Sequence, residues 1–202
     1  MKRFLSLLLP AAVLCGLTIA CEDAEIAKET FTAQTINGDE VLVGAVTDLM
    51  WQSYKEGDVF SYLKQKGIAE SEQYCADLDW AGFTDWRLPT IDELRSIVEG
   101  YPDLERGGRC KVGKSCLEYP CKDKGAKDDN DRPCAHDEAQ YTGPGPQGCY
   151  WETVWHDRFC GPHWSSSVVA GGAGERWVLT FYDPSIFVVP STGTAFPRCV
   201  RK

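Results

Sequence analysis

Asp85-Trp86-Arg87-Leu88-Pro89-Thr90-Ile91-Asp92-Glu93-Leu94-Arg95-Ser96-Ile97 is the stretch in which most local signals agree on one structure. Thr90 followed three residues later by Glu93 is a capping box, in which each side chain satisfies a backbone donor left open at a helix start. Pro89 prevents a helical run from extending backwards through Leu88. Ile91, Leu94, Ile97 and Val98 recur at helical spacing to give one apolar face, and Gly100 offers a left-handed stop. The expectation is a short extended piece, Trp86-Arg87-Leu88, leading into a helix of about two to three turns that must pack on something larger.

Working outward from it, Ala69 to Asp79 reads as a second helix, with Tyr74, Cys75 and Leu78 on one side and Gly82 closing it. Thr30 to Ala33, Val41 to Val43 and Leu49 to Gln52 read as short strands separated by Asn37-Gly38 and Asp48. On the C-terminal side, His163 to Ser167, Arg176 to Phe181, Ile186 to Val189 and Arg198 to Arg201 read as strands. Trp177, Leu179 and Phe181 alternate with Val178, Thr180 and Tyr182, a strand with one face in the core. Between these halves, about 103–160 is rich in Cys, Gly, Pro and charge and nearly free of aliphatic residues. Such a segment is expected to build no core and to owe its order to cross-links or metal.

Lys2 and Arg3 precede an uncharged run from Phe4 to Ala20 that is short and broken by Pro10, as in a secretory signal. Thr18-Ile19-Ala20-Cys21 resembles a bacterial lipobox with Cys21 as the lipidated residue, and the expected division is 1–20 signal peptide, 21–38 acidic tether and 39–202 one domain. The chain has 202 residues and a net charge of −9, which becomes −11 without Lys2 and Arg3. Such acidity argues against nucleic acid or an anionic membrane surface as partner, so membrane contact would be through a lipid anchor alone. Without Cys15 and Cys21, Cys75, Cys110, Cys116, Cys121, Cys134, Cys149, Cys160 and Cys199 remain. An even number in an exported chain reads as disulfides.

Leu49-Met50-Trp51-Gln52, Tyr74-Cys75-Ala76-Asp77-Leu78, the block from Gly82 to Leu94, Trp164-Ser165-Ser166-Ser167, Trp177 to Phe181 and Arg198-Cys199-Val200-Arg201 occur in an order that resembles the C-terminal domain of Legionella collagen-like proteins. The resemblance covers roughly residues 40–202 and leaves out the cysteine-rich segment. It implies an α+β, C-type-lectin-like fold similar to formylglycine-generating enzymes, with two short helices on a small, twisted, mostly antiparallel sheet and a long cysteine-rich loop insertion. It also implies a disulfide from the first helix to the last strand, and Cys75 and Cys199 sit at the matching places.

The six cysteines from Cys110 to Cys160 allow about fifteen pairings. Cys149 and Cys160 bracket a hairpin-like stretch with Trp151 and Trp155, and are the first pair to consider. Zinc with His136, His156 or His163 is the alternative, disfavoured by export and by the lack of a Cys-x-x-Cys spacing. No cofactor is expected, calcium excepted: Asp128, Asp129 and Asp131, flanking Asn130, are candidate hard-oxygen ligands, set against a solvated polar turn. The sugar-binding tripeptides of C-type lectins are absent. Tyr141, Tyr150, Trp151 and Trp155 are candidate ligand contacts, because aromatic faces on a rigid loop bind at low entropy cost. The competing reading is that they pack the disulfide cluster.

For oxidase chemistry of the formylglycine-generating type, Cys149 and Cys160 are the pair available. His163 and Ser165 share a strand face, yet no Gly-x-Ser-x-Gly elbow accompanies them. Arg87 is expected to pair with Asp85 or Glu93 and fix the strand-to-helix corner. Arg106, Arg109, Lys111 and Lys114 are the one local concentration of positive charge. The expected function is a non-enzymatic, exported binding or adhesion module of a bacterial envelope, lipid-anchored or secreted, for an unknown protein or polysaccharide. Such an oxidase and a structural subunit of an envelope assembly are the alternatives.

Overall fold

A computed structural model describes residues 28–53, 64–102, 104–106, 142–156, 159–169 and 172–202. The architecture is α+β, with two antiparallel sheets and few helices among the described residues. The first sheet has the order β1-β2-β3-β7: β1 is Phe31–Ile36, β2 Asp39–Gly44, β3 Met50–Gln52 and β7 Val200–Arg201. Asn37 and Gly38 join β1 to β2 with φ of 52° and 91°, the backbone that a two-residue hairpin requires and that Asn-Gly supplies. The second sheet has the order β4-β5-β6: β4 is His163–Val168, β5 Arg176–Thr180 and β6 Ser185–Val189. The single small sheet expected from the sequence is therefore two among the described residues, since β4 pairs with β5 and β5 with β6 while the chain end returns to β3.

Two helices lie between these strands in the chain: α1, Ile68–Ala76, and α2, Ile91–Arg95. Both are shorter than the apolar spacing suggests. After Ala76 the backbone donor of Asp77 already closes on Gln73, and Ala81 and Gly82 reverse the chain with φ of 56° and 78°. After Arg95 the amides of Ile97 and Val98 bond to the carbonyls of Leu94 and Arg95, so the last apolar residues stay buried in a tightened turn rather than in an α-helix. Gly100, at φ 85°, follows as the stop. Residues 31–36 are β1, the strand expected at Thr30 to Ala33, which extends on to Ile36. Their chain entry is fastened by Lys28 to Glu99 at 2.6 Å, by the Glu29 carboxylate accepting from the amides of Val46 and Thr47, and by the Phe31 amide donating to Glu152.

The interior holds two apolar clusters. One joins Leu42, Trp51, Ile91, Leu94, Ile97, Leu104, Cys149, Trp151, Trp155, Trp177, Leu179 and Phe181. The other joins Val41, Ile68, Cys75, Trp86, Leu88, Trp164, Val178 and Cys199. Strand β5 feeds both clusters from opposite faces, so it is buried on two sides, where the alternating pattern suggested one. Disulfides join Cys75 to Cys199 and Cys149 to Cys160, with Cα atoms 5.5 and 5.2 Å apart.

The largest correction concerns residues 103–160. Leu104, Cys149, Tyr150, Trp151, Trp155 and Cys160 are all buried, so the C-terminal part of this segment is core. Scarcity of aliphatic residues is a poor guide here, because each large aromatic ring buries about 150–250 Å² by itself. The backbone of Tyr150 is pinned on both sides, its amide to the Phe181 carbonyl at 2.7 Å and its carbonyl to the Glu99 amide at 2.9 Å. Gly143 and Gly145 lie so close to Cys149, Tyr150 and Trp151 that neither position has room for a Cβ.

Candidate functional site

A polar cleft of about 360 Å³ lies against α2, lined by Val46, Thr47, Leu49, Arg87, Asp92, Glu93, Ser96, Arg106 and Lys202. The wall at α2 is placed by local interactions dictated by the sequence. The capping box forms as expected: Thr90 Oγ1 accepts from the Glu93 amide at 3.2 Å, and the Glu93 carboxylate accepts from the Thr90 amide at 2.7 Å. That carboxylate also takes both terminal nitrogens of Arg87, at 2.7 and 2.8 Å, a two-pronged pair that holds the strand-to-helix corner. Burial pushes the Glu93 carboxyl up, but the Arg87 guanidinium and the Thr90 amide outweigh it and hold its pKa below the ordinary value. The hydrogen bond to Glu93 likewise raises the pKa of Arg87.

The other walls come from three directions. Thr47 and Val46 belong to the turn before β3, whose amides are held by the buried carboxylate of Glu29. Arg106 closes a loop tied down by Arg95, which donates to the carbonyls of Leu104 and Glu105 at 3.1 Å each and pairs with Asp92 at 3.2 Å. Arg95 is 5 % exposed, and burial lowers its pKa against the opposing pull of Asp92. Lys202 follows Arg201, which grips Asp85 at 2.6 and 3.1 Å and lies 3.8 Å over the Phe83 ring. The Arg201 hydrogen bond holds the Asp85 carboxyl below its ordinary range. Of the two acids expected to pair with Arg87, then, Glu93 does so and Asp85 serves β7.

This arrangement can bind a polar molecule. It offers cations at Arg87, Arg106 and Lys202, carboxylates at Asp92 and Glu93, hydroxyls at Thr47 and Ser96, and a small apolar floor at Val46 and Leu49. Its serine is committed to the helix end: the Ser96 hydroxyl donates to the Glu93 carbonyl at 2.7 Å. His163 and Ser165 are equally committed. His163 is fully buried, with Nδ1 on the Gly161 carbonyl and Nε2 facing Arg198, and Ser165 donates to the Trp177 carbonyl. Desolvation and the neighbouring Arg198 push the His163 pKa well below 6.5, against the bond to Gly161.

The aromatic contact residues chosen from the sequence require correction. Tyr150, Trp151 and Trp155 are 5 %, 0 % and 1 % exposed and present no face to a ligand. Trp155 stacks on Trp151 and meets the edges of Phe31 and Trp51, while Trp151 packs on Phe181. Their placement follows from the Cys149–Cys160 disulfide, which folds the stretch they occupy back over the first core cluster. Cys21, Cys110, Cys116, Cys121, Cys134, Asp128, Asp129, Asp131 and Tyr141 lie outside the described residues. Of the basic group, Arg106 lines the cleft, and Arg109, Lys111 and Lys114 lie outside the described residues.

Thr47, Asp92, Ser96 and Lys202 were not singled out by sequence reasoning. Asp92 and Ser96 carried a signal all the same, since a spacing of four puts them on one side of the helical turn, Asp92 exposed in α2 and Ser96 buried at its C-terminal cap. A family model described as the Lcl C-terminal domain matches residues 40–201. No curated protein and no solved structure matches the chain.

Proposed function

The chain belongs to the Lcl C-terminal domain family, and from that membership we propose that it is a non-enzymatic, exported binding module of a bacterial envelope, anchored by a lipid on Cys21. Its scaffold is of the C-type-lectin-like kind, and its ligand is an extracellular polysaccharide. The observation that carries this reading is the cleft against α2, where cations, carboxylates and hydroxyls converge on one concavity of about 360 Å³. A polyhydroxylated ligand with scattered acidic groups matches such a mixed surface, whereas an apolar ligand does not.

The test is a titration of the full chain against neutral, carboxylated and sulfated polysaccharides, repeated with Arg106→Ala and Lys202→Ala. Both side chains belong to exposed residues, so neither change should disturb the fold. Each is expected to weaken binding about five- to tenfold, through the loss of one charge-assisted contact. Binding that ignores both substitutions would remove the cleft from the reading, and no binding to any of the polysaccharides would remove the ligand class.

A further inference from the structure

Among the described residues strand β1 is an edge of the first sheet, and it lacks a bulge, a proline and a charge, three devices that usually protect an edge. The pairing of β1 with β2 runs unbroken from Phe31 opposite Gly44 to Ile36 opposite Asp39, so no bulge twists it away. From Thr30 to Gly38 there is no charged residue and no proline, in a chain of which 25 % is Asp, Glu, Lys or Arg. Thr32, Ala33, Gln34 and Thr35 are all exposed, on both faces of the strand. An edge of this kind is a template for another strand.

The direction of the backbone fixes how it can be used. The Ala45 amide bonds to the Thr30 carbonyl, and the register then turns Thr30, Thr32, Gln34 and Ile36 toward β2. Alternate residues point outward. Of these, Phe31 gives its amide to Glu152, which leaves the N–H and C=O groups of Ala33 and Thr35 facing solvent.

We propose that two copies of this chain pair through β1, antiparallel, about a twofold axis at Gln34. Ala33 of one copy then exchanges both main-chain bonds with Thr35 of the other, and the axis repeats the exchange. Thr32 faces Ile36, and Gln34 faces Gln34. This centre is singled out by charge: the uncharged stretch from Thr30 to Gly38 is symmetric about Gln34, so it lies wholly against itself and brings no like charges together, although each chain carries −9. A foreign strand would lack that match. The inference is independent of the cleft and its ligand.

Sedimentation of the full chain from micromolar to millimolar concentration should show a monomer–dimer equilibrium. Ala33→Pro removes an outward donor and no bond to β2, and should weaken pairing about thirtyfold, because the loss counts twice across the axis. Gln34→Lys and Gln34→Glu should each weaken it about fivefold by placing like charges opposite, and an equimolar mixture of the two should restore it. Gln34→Cys should cross-link two chains under mild oxidation, since Cα atoms in a pair of this type lie about 4.5 Å apart, within disulfide reach. A wild-type chain that stays monomeric throughout would overturn the proposal. So would association that survives Ala33→Pro, or charge variants that fail to complement each other.

Discussion

The corner from Asp85 to Ile97 and the loop from Cys149 to Cys160 are held by different means. The corner buries Trp86, Leu88, Ile91, Leu94 and Ile97, and polar bonds at the surface set its direction: Glu93 serves Thr90 and Arg87 at once, Asp85 holds Arg201, and the Arg87 side chain is 46 % exposed. The loop buries Cys149, Tyr150, Trp151, Trp155 and Cys160 and meets the rest of the protein through ring packing. Polar bonds near water contribute little net energy but specify direction, whereas buried aromatic area contributes much energy. The difference teaches that the corner sets the geometry of the cleft and the loop sustains the interior.

That division can be broken by unequal losses of stability. Trp151→Ala should cost about 3–5 kcal/mol in denaturant unfolding, the range for emptying a large aromatic site. A well-folded variant with impaired ligand binding would return Trp151 to the role of a contact residue. Replacing Cys149 and Cys160 together by serine should cost about 3 kcal/mol in the chain-entropy model, because the loop they close spans only 11 residues.

Acid should act on the interior first. His163 lies beside Trp151 and Phe181 with its pKa well below 6.5, so the unfolded chain binds its proton more readily than the folded one. The stability His163 contributes is therefore complete above about pH 6.5 and is lost as pH falls from there through the folded-state pKa, by up to about 1.4 kcal/mol per unit. The difference in stability between pH 7.5 and pH 5, measured by urea titration, should shrink in His163→Gln.

The corner should respond least. Glu93→Gln weakens the cap and the Arg87 pair together and should cost about 1–2 kcal/mol, and Arg87→Met below about 1 kcal/mol, as expected of an ion pair near the surface. If Arg87→Met costs more than Trp151→Ala, the assignment of energy to the loop and geometry to the corner is wrong.

The corner was legible because its determinants are neighbours in the chain. A capping box, a proline and apolar spacing act within ten residues, and the Asn37-Gly38 hairpin is of the same kind. The two sheets were not legible, since β3 finds β7 at the far end of the chain while β4, β5 and β6 pair among themselves, and strand patterns carry no partner label. Trp151 and Trp155 could be read as ligand contacts or as packing for the disulfide cluster, and the sequence left that choice open for a related reason. Among residues 149–160 Val154 is the one aliphatic residue, and the Cys149–Cys160 closure brings the two rings against Phe31, Trp51 and Phe181. The cleft was half legible: Arg87 and Glu93 stand in the signature and Arg106 in the basic group, but Thr47 and Lys202 arrive from turns and ends that no motif marks.

The bond between Cys75 and Cys199 spans 124 residues, and a protease would meet its effect directly. Any single cut between those cysteines, including one anywhere in residues 107–141, leaves both products joined in one covalent body. A single nick in the cysteine-rich segment would then release no fragment, and it would become visible only on a reducing gel.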